Sequence, residues 1–112
     1  MKKKHTNPDG HDADMIEIAF HHFVDSVRKK VEHHGRTRFP TLPMPTVTIT
    51  AGSVYWKIIR NDSTYGFVRK SDGAVLKAAN WRTPYVLGKN YIRGYVTDDL
   101  IADSVIHPYG IC

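Results

Sequence analysis

The sequence of residues 47–78, VTITAGSVYWKIIRNDSTYGFVRKSDGAVLKA, carries the pattern that predicts the architecture. Apolar and polar residues alternate over 47–50, 54–60, 65–70 and 74–78, as they do in strands with one buried face. Short turn segments separate these runs, and the last turn contains Asp72-Gly73, a strong hairpin signal. We therefore predict four consecutive strands that pair as an antiparallel meander.

A long amphipathic helix is predicted before the strands, over residues 13–34. Its apolar residues recur three and four positions apart, which places them on one face of an α-helix. Asp12 or Asp14 is expected to cap the start of the helix, and Gly35 to end it. An apolar stripe of this kind is nearly always buried, so the helix must pack on another element. The stripe consists of Ile16, Ala19, Phe20, Phe23, Val24, Val27 and Val31.

The predicted fold class is α+β, with one N-terminal amphipathic helix packed on a small antiparallel β-sheet of about four strands. Strand alternation puts Trp56 and Ile58 on the face toward the helix and Tyr55 and Lys57 on the other face. We expect the helix to contact this first face through Phe20, Phe23 and Val27.

The segments around these elements complete a two-part organisation. Residues 1–12 are polar and lysine-rich and are predicted to be a flexible basic tail, while residues 13–112 form a single α+β domain. The connector 36–46 contains three prolines alternating with apolar residues, which favours an extended path pinned to the domain over a ligand for a proline-binding partner. Residues 91–96 are expected to form a short edge strand or a loop, and 98–105 one acidic turn of helix.

Composition and charge narrow the possible classes of function. The 112-residue chain has a formal net charge of +5, and residues 53–95 hold eight basic and two acidic residues. A clustered basic excess favours an anionic partner such as nucleic acid, with a solvated basic surface as the alternative. No apolar run is long enough to span a membrane, and no secretory signal is expected at the N-terminus. The only cysteine is the terminal Cys112, so no intramolecular disulfide can form.

The basic and aromatic residues of the central segment are the leading candidate site. A small antiparallel sheet can present aromatic rings that stack on bases, together with basic side chains that neutralise phosphates. Because a lone tryptophan is more often buried than exposed, we favour burial of Trp81 while keeping it as a candidate stacking platform. The candidate nucleic-acid-binding residues are Tyr55, Lys57, Arg69, Lys70, Lys77, Trp81, Arg82 and Arg93.

Metal binding and catalysis find little support in the sequence. Glu17, His21 and Asp25 share one helix face, but no fourth ligand accompanies them. Neither a Gly-rich phosphate loop nor a nucleophile motif is present. We therefore expect a protein that is not an enzyme and that has no metal and no cofactor.

Residues 73–84 resemble a segment of a known family. The pattern Gly73-x-x-x-Lys77-x-Ala79-x-Trp81-x-x-Pro84, with Arg93-Gly94 beyond it, is similar to the "GDVxKxASWKAPAKxARGN" segment of a family of small uncharacterised tailed-phage proteins. The resemblance covers roughly residues 15–96. It departs at position 80, where asparagine replaces serine, and in the longer spacing between Pro84 and Arg93. The resemblance implies a phage origin and a host-cytoplasm setting, and it brings no activity.

Three functions follow as expectations from these observations. The favoured one is a non-enzymatic phage accessory protein that binds nucleic acid, preferably single-stranded, through the basic and aromatic sheet surface. The alternatives are a host-takeover or anti-defence protein that inhibits a bacterial host protein, and a minor virion component. No membrane partner is expected, and the sequence leaves the oligomeric state open.

Overall fold

The long helix forms where the apolar spacing predicts it. A computed structural model describes residues 13–98 and 101–111, and within them α1 spans Ala13–Arg38. The predicted tail 1–12, including the possible cap Asp12, lies outside the described residues. Every stripe residue but one is buried, and Ala19 is partly buried against the same core. The stripe prediction is therefore confirmed.

Gly35 does not end this helix, contrary to the sequence prediction. The helix continues for another turn to Arg38, and Gly35 is buried within it. A β-carbon at this position would lie 3.2 Å from the Met44 sulfur and 3.2 Å from Cδ of Pro45. The absence of a side chain at Gly35 therefore lets the connector pack close to the helix. An internal glycine destabilises a helix by about 1 kcal/mol relative to alanine.

The strands pair in sequence order as an antiparallel meander. The sheet order is β1-β2-β3-β4-β5, so it contains five strands where about four are predicted. The extra strand falls in the segment that the sequence leaves open between edge strand and loop. The strands are β1 (Val47–Ala51), β2 (Tyr55–Arg60), β3 (Ser63–Arg69), β4 (Ala74–Leu76) and β5 (Gly94–Tyr95).

The turn between β3 and β4 has the chemistry that the Asp-Gly pair predicts. Gly73 has φ +77°, a left-handed conformation that glycine adopts without strain. Its amide donates to the carbonyl of Arg69 at 2.8 Å, and Oδ1 of Asp72 accepts from the amide of Ala74 at 3.0 Å. These bonds fix the turn that reverses the chain into β4.

One irregularity in β3 divides its side chains between the two faces of the sheet. Ile58 pairs with Gly66, but Ile59 pairs with Thr64, so Tyr65 is the extra residue of a β-bulge. Tyr65 consequently joins the core on the helix side, whereas Phe67 is buried outside that core. Simple alternation from the sequence could not separate these two positions.

The helix and sheet meet in an aromatic contact. Phe20 is fully buried and stacks on Trp56 with ring centroids 4.1 Å apart and planes 7° from parallel. Ile58 is also fully buried in the same core, as predicted. Phe23 is buried too, but it lies beside Val96 and Ile101 from the C-terminal part of the chain.

The C-terminal segment closes the end of this core. It contains α2 (Ile101–Val105), which falls within the predicted turn 98–105; residues 99 and 100 of that turn lie outside the described residues. It also contains a two-stranded hairpin of β6 (Ile106–His107) and β7 (Gly110–Ile111) that the sequence pattern did not predict. The Tyr65 hydroxyl donates to the carbonyl of His107 at 2.5 Å. The bulge residue therefore ties the hairpin to the main sheet.

The connector differs in part from the prediction. The helix takes up residues 36–38, and a turn follows in which the amide of Leu42 donates to the carbonyl of Phe39 at 3.1 Å. Phe39, Leu42 and Met44 remain 42–59% exposed, so only one side of the connector is pinned to the domain, through Met44 and Pro45 against Gly35. No helix among the described residues is long and apolar enough to cross a membrane.

Candidate functional site

The face of the sheet away from α1 has its own buried patch. Phe67 and Leu76 are paired across β3 and β4 and are almost fully buried, yet they lie outside the core beneath the helix. The segment 77–93, between β4 and β5, makes several contacts on this side. The Thr64 hydroxyl donates to the carbonyl of Trp81 at 2.9 Å, which holds the segment against β3.

A tight turn at the tip of this segment presents two of the predicted residues. Ala78 and Pro84 form an antiparallel bridge, and the chain reverses between them. Oδ1 of Asn80 accepts from the amide of Arg82 at 2.9 Å and from the amide and hydroxyl of Thr83 at 3.0 and 3.1 Å. These hydrogen bonds to the Asn80 side chain fix the backbone of the turn. This leaves the side chains of residues 81 and 82 at its exposed tip.

Trp81 is exposed, which corrects the expectation that it is buried. Its side chain is 48% exposed, and the hydrogen bond from Thr64 to its backbone carbonyl holds the turn at the sheet surface. The Lys57 ammonium lies over the Trp81 ring, 4.0 Å from its centroid. The ammonium covers one face of the ring, so a base that stacks on Trp81 would take the other face, with Lys57 close enough to meet a phosphate.

A groove of about 400 Å³ runs beside this pair. We call it the basic groove; it is lined by the end of β1 and the turn that follows it (residues 50–54), Tyr55, Lys57, Phe67 and Arg82. Lys57 and Arg82 supply positive charge, and no acidic side chain is among these lining residues. Tyr55 stands edge-on to Phe67 with ring centroids 5.9 Å apart, which fixes its ring at the groove wall.

The structure does not bring all eight predicted residues together. Tyr55, Lys57, Trp81 and Arg82 surround the basic groove, as just described. Lys77 is exposed in the next part of the same segment, with its ammonium 5.0 Å from the Tyr85 ring centroid. Lys70 lies on the opposite side of the sheet, 5.7 Å from the ring of Trp56.

Arg69 and Arg93 are engaged in internal contacts. Arg69 forms a bidentate ion pair with Asp72, with bonds of 2.7 and 3.0 Å. The Asp72 hydrogen bond raises the pKa of Arg69. Burial opposes ionisation of Asp72, but the bonds from Arg69 and from the Ala74 amide hold the pKa of its carboxyl below the ordinary value. Arg93 extends the β4 pairing through its amide, and its guanidinium bonds the carbonyl of Asn90 at 3.3 Å.

The helix histidines form no metal centre among the described residues. Glu17 and His21 approach to 3.8 Å, while Asp25 lies 3.5 Å from Arg28. Within residues 13–98 and 101–111, no group of three His, Cys, Asp or Glu side chains is placed to hold a metal ion.

Sequence analysis missed two contributions to this region. The role of Asn80 is one of them, although asparagine is a recognised turn residue because its side chain bonds the backbone two residues on. A second cluster, formed by His34, Arg60 and Tyr109, joins residues from three distant parts of the chain. No local pattern signals that cluster.

The chain matches no protein-family model, no curated protein and no solved structure. The resemblance of residues 73–84 to tailed-phage proteins therefore stays a prediction.

Proposed function

We propose that the protein is a small non-enzymatic accessory protein that binds single-stranded nucleic acid at the basic groove and the neighbouring Trp81 tip. The observation that carries the proposal is the exposed Trp81 ring beside the Lys57 ammonium and Arg82, at a groove whose lining residues include no acid. The resemblance to phage proteins supports host cytoplasm as the place where it acts.

The charges of the groove favour a phosphate backbone. Among the described residues, neither Lys57 nor Arg82 forms an ion pair with a carboxylate, whereas Arg69 is paired with Asp72. A strand lying along the groove would place phosphates near these two cations and release condensed counterions. Lys77 lies along the same segment and offers a third cation for a longer strand.

The aromatic geometry favours single strands over duplexes. Stacking on Trp81 requires a base whose face is free, which a paired and stacked duplex does not offer. The apolar face of the long helix α1 is buried in the core, and the other described helix, α2, has five residues. Among the described residues there is consequently no helix suited to lie in a major groove.

Fluorescence anisotropy with labelled single-stranded DNA and RNA of about 12 nucleotides tests the proposal. Affinity should fall steeply as salt rises. The double variant Lys57→Gln/Arg82→Gln should reduce the salt slope by about 1.4, or roughly 0.7 for each lost phosphate contact. The matched control, Lys29→Gln/Lys30→Gln, removes the same charge from an exposed part of α1 and should leave the slope nearly unchanged.

Two results would contradict the proposal. One is the absence of binding below millimolar concentrations at low salt for both DNA and RNA. The other is an equal loss of affinity in the control variant, because this would show that net charge acts without the groove. A labelled duplex of the same length should bind more weakly than either single strand.

A second candidate function, inhibition of a bacterial host protein, is favoured by one separate observation. Val86 and Leu87 follow the tip turn and are 46% and 69% exposed. Adjacent exposed apolar residues on a surface loop are typical of protein contacts. Pull-down from infected cells with and without nuclease distinguishes the two candidates, since a protein partner would survive nuclease and be lost with Leu87→Ser.

A further inference from the structure

A second cavity, at the opposite end of β2 from the basic groove, carries an independent inference. Its volume is about 210 Å³, and it lies between the end of α1, the connector and the tip of the β6–β7 hairpin. We call it the connector pocket. Its lining residues are His34, Gly35, Phe39, Leu42, Pro43, Met44, Pro45, Arg60, Asn61 and Tyr109.

The walls of the connector pocket are mainly apolar. The connector contributes one aromatic ring, two prolines, one leucine and one methionine, and these side chains remain exposed or half-exposed. Such a surface favours the apolar body of a ligand. The volume is below the roughly 300–1,000 Å³ of sites for drug-sized molecules, so the ligand is limited to about the size of one large apolar residue.

Arg60 gives the pocket a single strong anion-binding group. Its guanidinium carbon lies over the Tyr109 ring, 4.8 Å from the ring centroid. Its Nε is buried without a hydrogen-bond partner. A buried N–H of a charged group is costly to leave unpaired, so a small shift of the Arg60 side chain that admits an acceptor to Nε would be favourable.

The remaining polar groups favour an anion over a cation. Oδ1 of Asn61 accepts from the amide of Thr46 at 3.0 Å, which leaves its amide nitrogen as a donor. Nε2 of His34 is 3.0 Å from the Tyr109 hydroxyl, so these two groups satisfy each other at the rim. Neither Asp nor Glu occurs among the residues that line the pocket.

We propose that the connector pocket binds a carboxylate attached to a small branched or aromatic apolar body, with the carboxylate on Arg60 and the apolar body against the connector. A guanidinium recognises a carboxylate through parallel hydrogen bonds, and Nε takes part in one such arrangement. The same chemistry occurs in a free apolar acid and at the carboxyl end of a protein chain that finishes in an apolar residue.

The test is a ¹H–¹⁵N NMR titration with N-acetyl-leucine, with its uncharged amide as the matched ligand control. The acid should shift the Arg60 Nε–H resonance and the amides of residues 42–46, and the amide derivative should bind at least about tenfold more weakly, since a charge-assisted bond is lost. The Arg60→Gln substitution should weaken binding of the acid by a similar factor. Arg36→Gln, an exposed arginine on α1 that does not line the pocket, should have no effect.

A second variant covers the chance that Arg60→Gln disturbs folding. Leu42 is 59% exposed, so Leu42→Glu leaves the fold intact while it puts a negative charge on the pocket wall. This substitution should weaken binding of N-acetyl-leucine by more than about tenfold. Equal binding of acid and amide, unchanged binding in Leu42→Glu, or no shifts at millimolar acid would each overturn the proposal.

A third titration separates the two sources of the carboxylate. A short peptide that ends in a free leucine carboxylate should match N-acetyl-leucine if the pocket accepts chain ends, and its amidated form should not bind. Binding of the acetylated amino acid without binding of the peptide supports a free small acid as the ligand.

Discussion

Replacement of Trp81 by alanine separates stacking from charge at the basic groove. The ring is 48% exposed, and the Lys57 ammonium lies 4.0 Å from its centroid. Stacking of one base on an aromatic side chain contributes about 1–3 kcal/mol. Trp81→Ala should therefore raise the Kd for a single strand by about 5- to 150-fold.

The same substitution should leave the protein folded, although it lowers the folding stability. Losing the half-buried ring and the cation–π contact amounts to about 2 kcal/mol. This is well below the roughly 5–15 kcal/mol of a typical domain. The hydrogen bond from Thr64 to the backbone carbonyl of residue 81 does not depend on the side chain, so the turn should persist.

Anisotropy titrations at two salt concentrations measure the Kd and its salt dependence. Thermal melts of the same samples measure the stability. No charge is removed, so the salt slope of Trp81→Ala should equal that of the wild type, in contrast to the Lys57→Gln/Arg82→Gln variant. Trp81→Phe should recover most of the affinity. A Kd for Trp81→Ala within twofold of wild type would refute stacking as the role of this residue.

Three further predictions concern the scaffold. Phe20→Ala removes a fully buried ring and should lower the free energy of unfolding by about 3–5 kcal/mol in urea denaturation; an unchanged midpoint would contradict the helix–sheet core. Tyr65→Phe leaves the carbonyl of His107 without its donor and should cost about 1–3 kcal/mol, with faster hydrogen exchange in the C-terminal hairpin than in the sheet. Because Arg69 holds the pKa of Asp72 below its ordinary 3.8, this carboxylate stabilises the fold above that pH and the stabilisation is lost as the pH falls through the lowered pKa. Thermal melts from pH 5 downward should therefore show a steeper loss for wild type than for Asp72→Asn.

The local elements of this protein follow from the sequence because each depends on neighbours along the chain. The apolar spacing of α1 predicts its buried face, since a helix brings residues three and four apart onto one side. The Asp72-Gly73 pair predicts the β3–β4 hairpin because only a few residue types accept its left-handed turn position. Alternation likewise predicts the inward orientation of Ile58 and the approach of Trp56 to the helix.

The sequence predicts which types of residue the candidate site contains, but not how they are arranged. Sequence predicts that basic and aromatic residues cluster in the central segment, but it does not predict which of them meet. Asp72 engages Arg69 across the hairpin, and Lys70 lies on the side of Trp56. The exposure of Trp81 depends on the turn organised by Asn80 and on the Thr64 hydrogen bond that attaches this turn to β3.

Only the tertiary structure determines the features that depend on contacts between residues far apart in the sequence. The bulge at Tyr65 moves one ring into the helix-side core and leaves Phe67 on the other face, which reverses the alternation of that strand. The helix passes through Gly35 because the connector packs where a side chain would stand. The connector pocket joins the end of α1, the end of β2 and the C-terminal hairpin. Spacing along the chain determines a helix face or a strand face, but contacts between segments many residues apart depend on the packing of the whole domain.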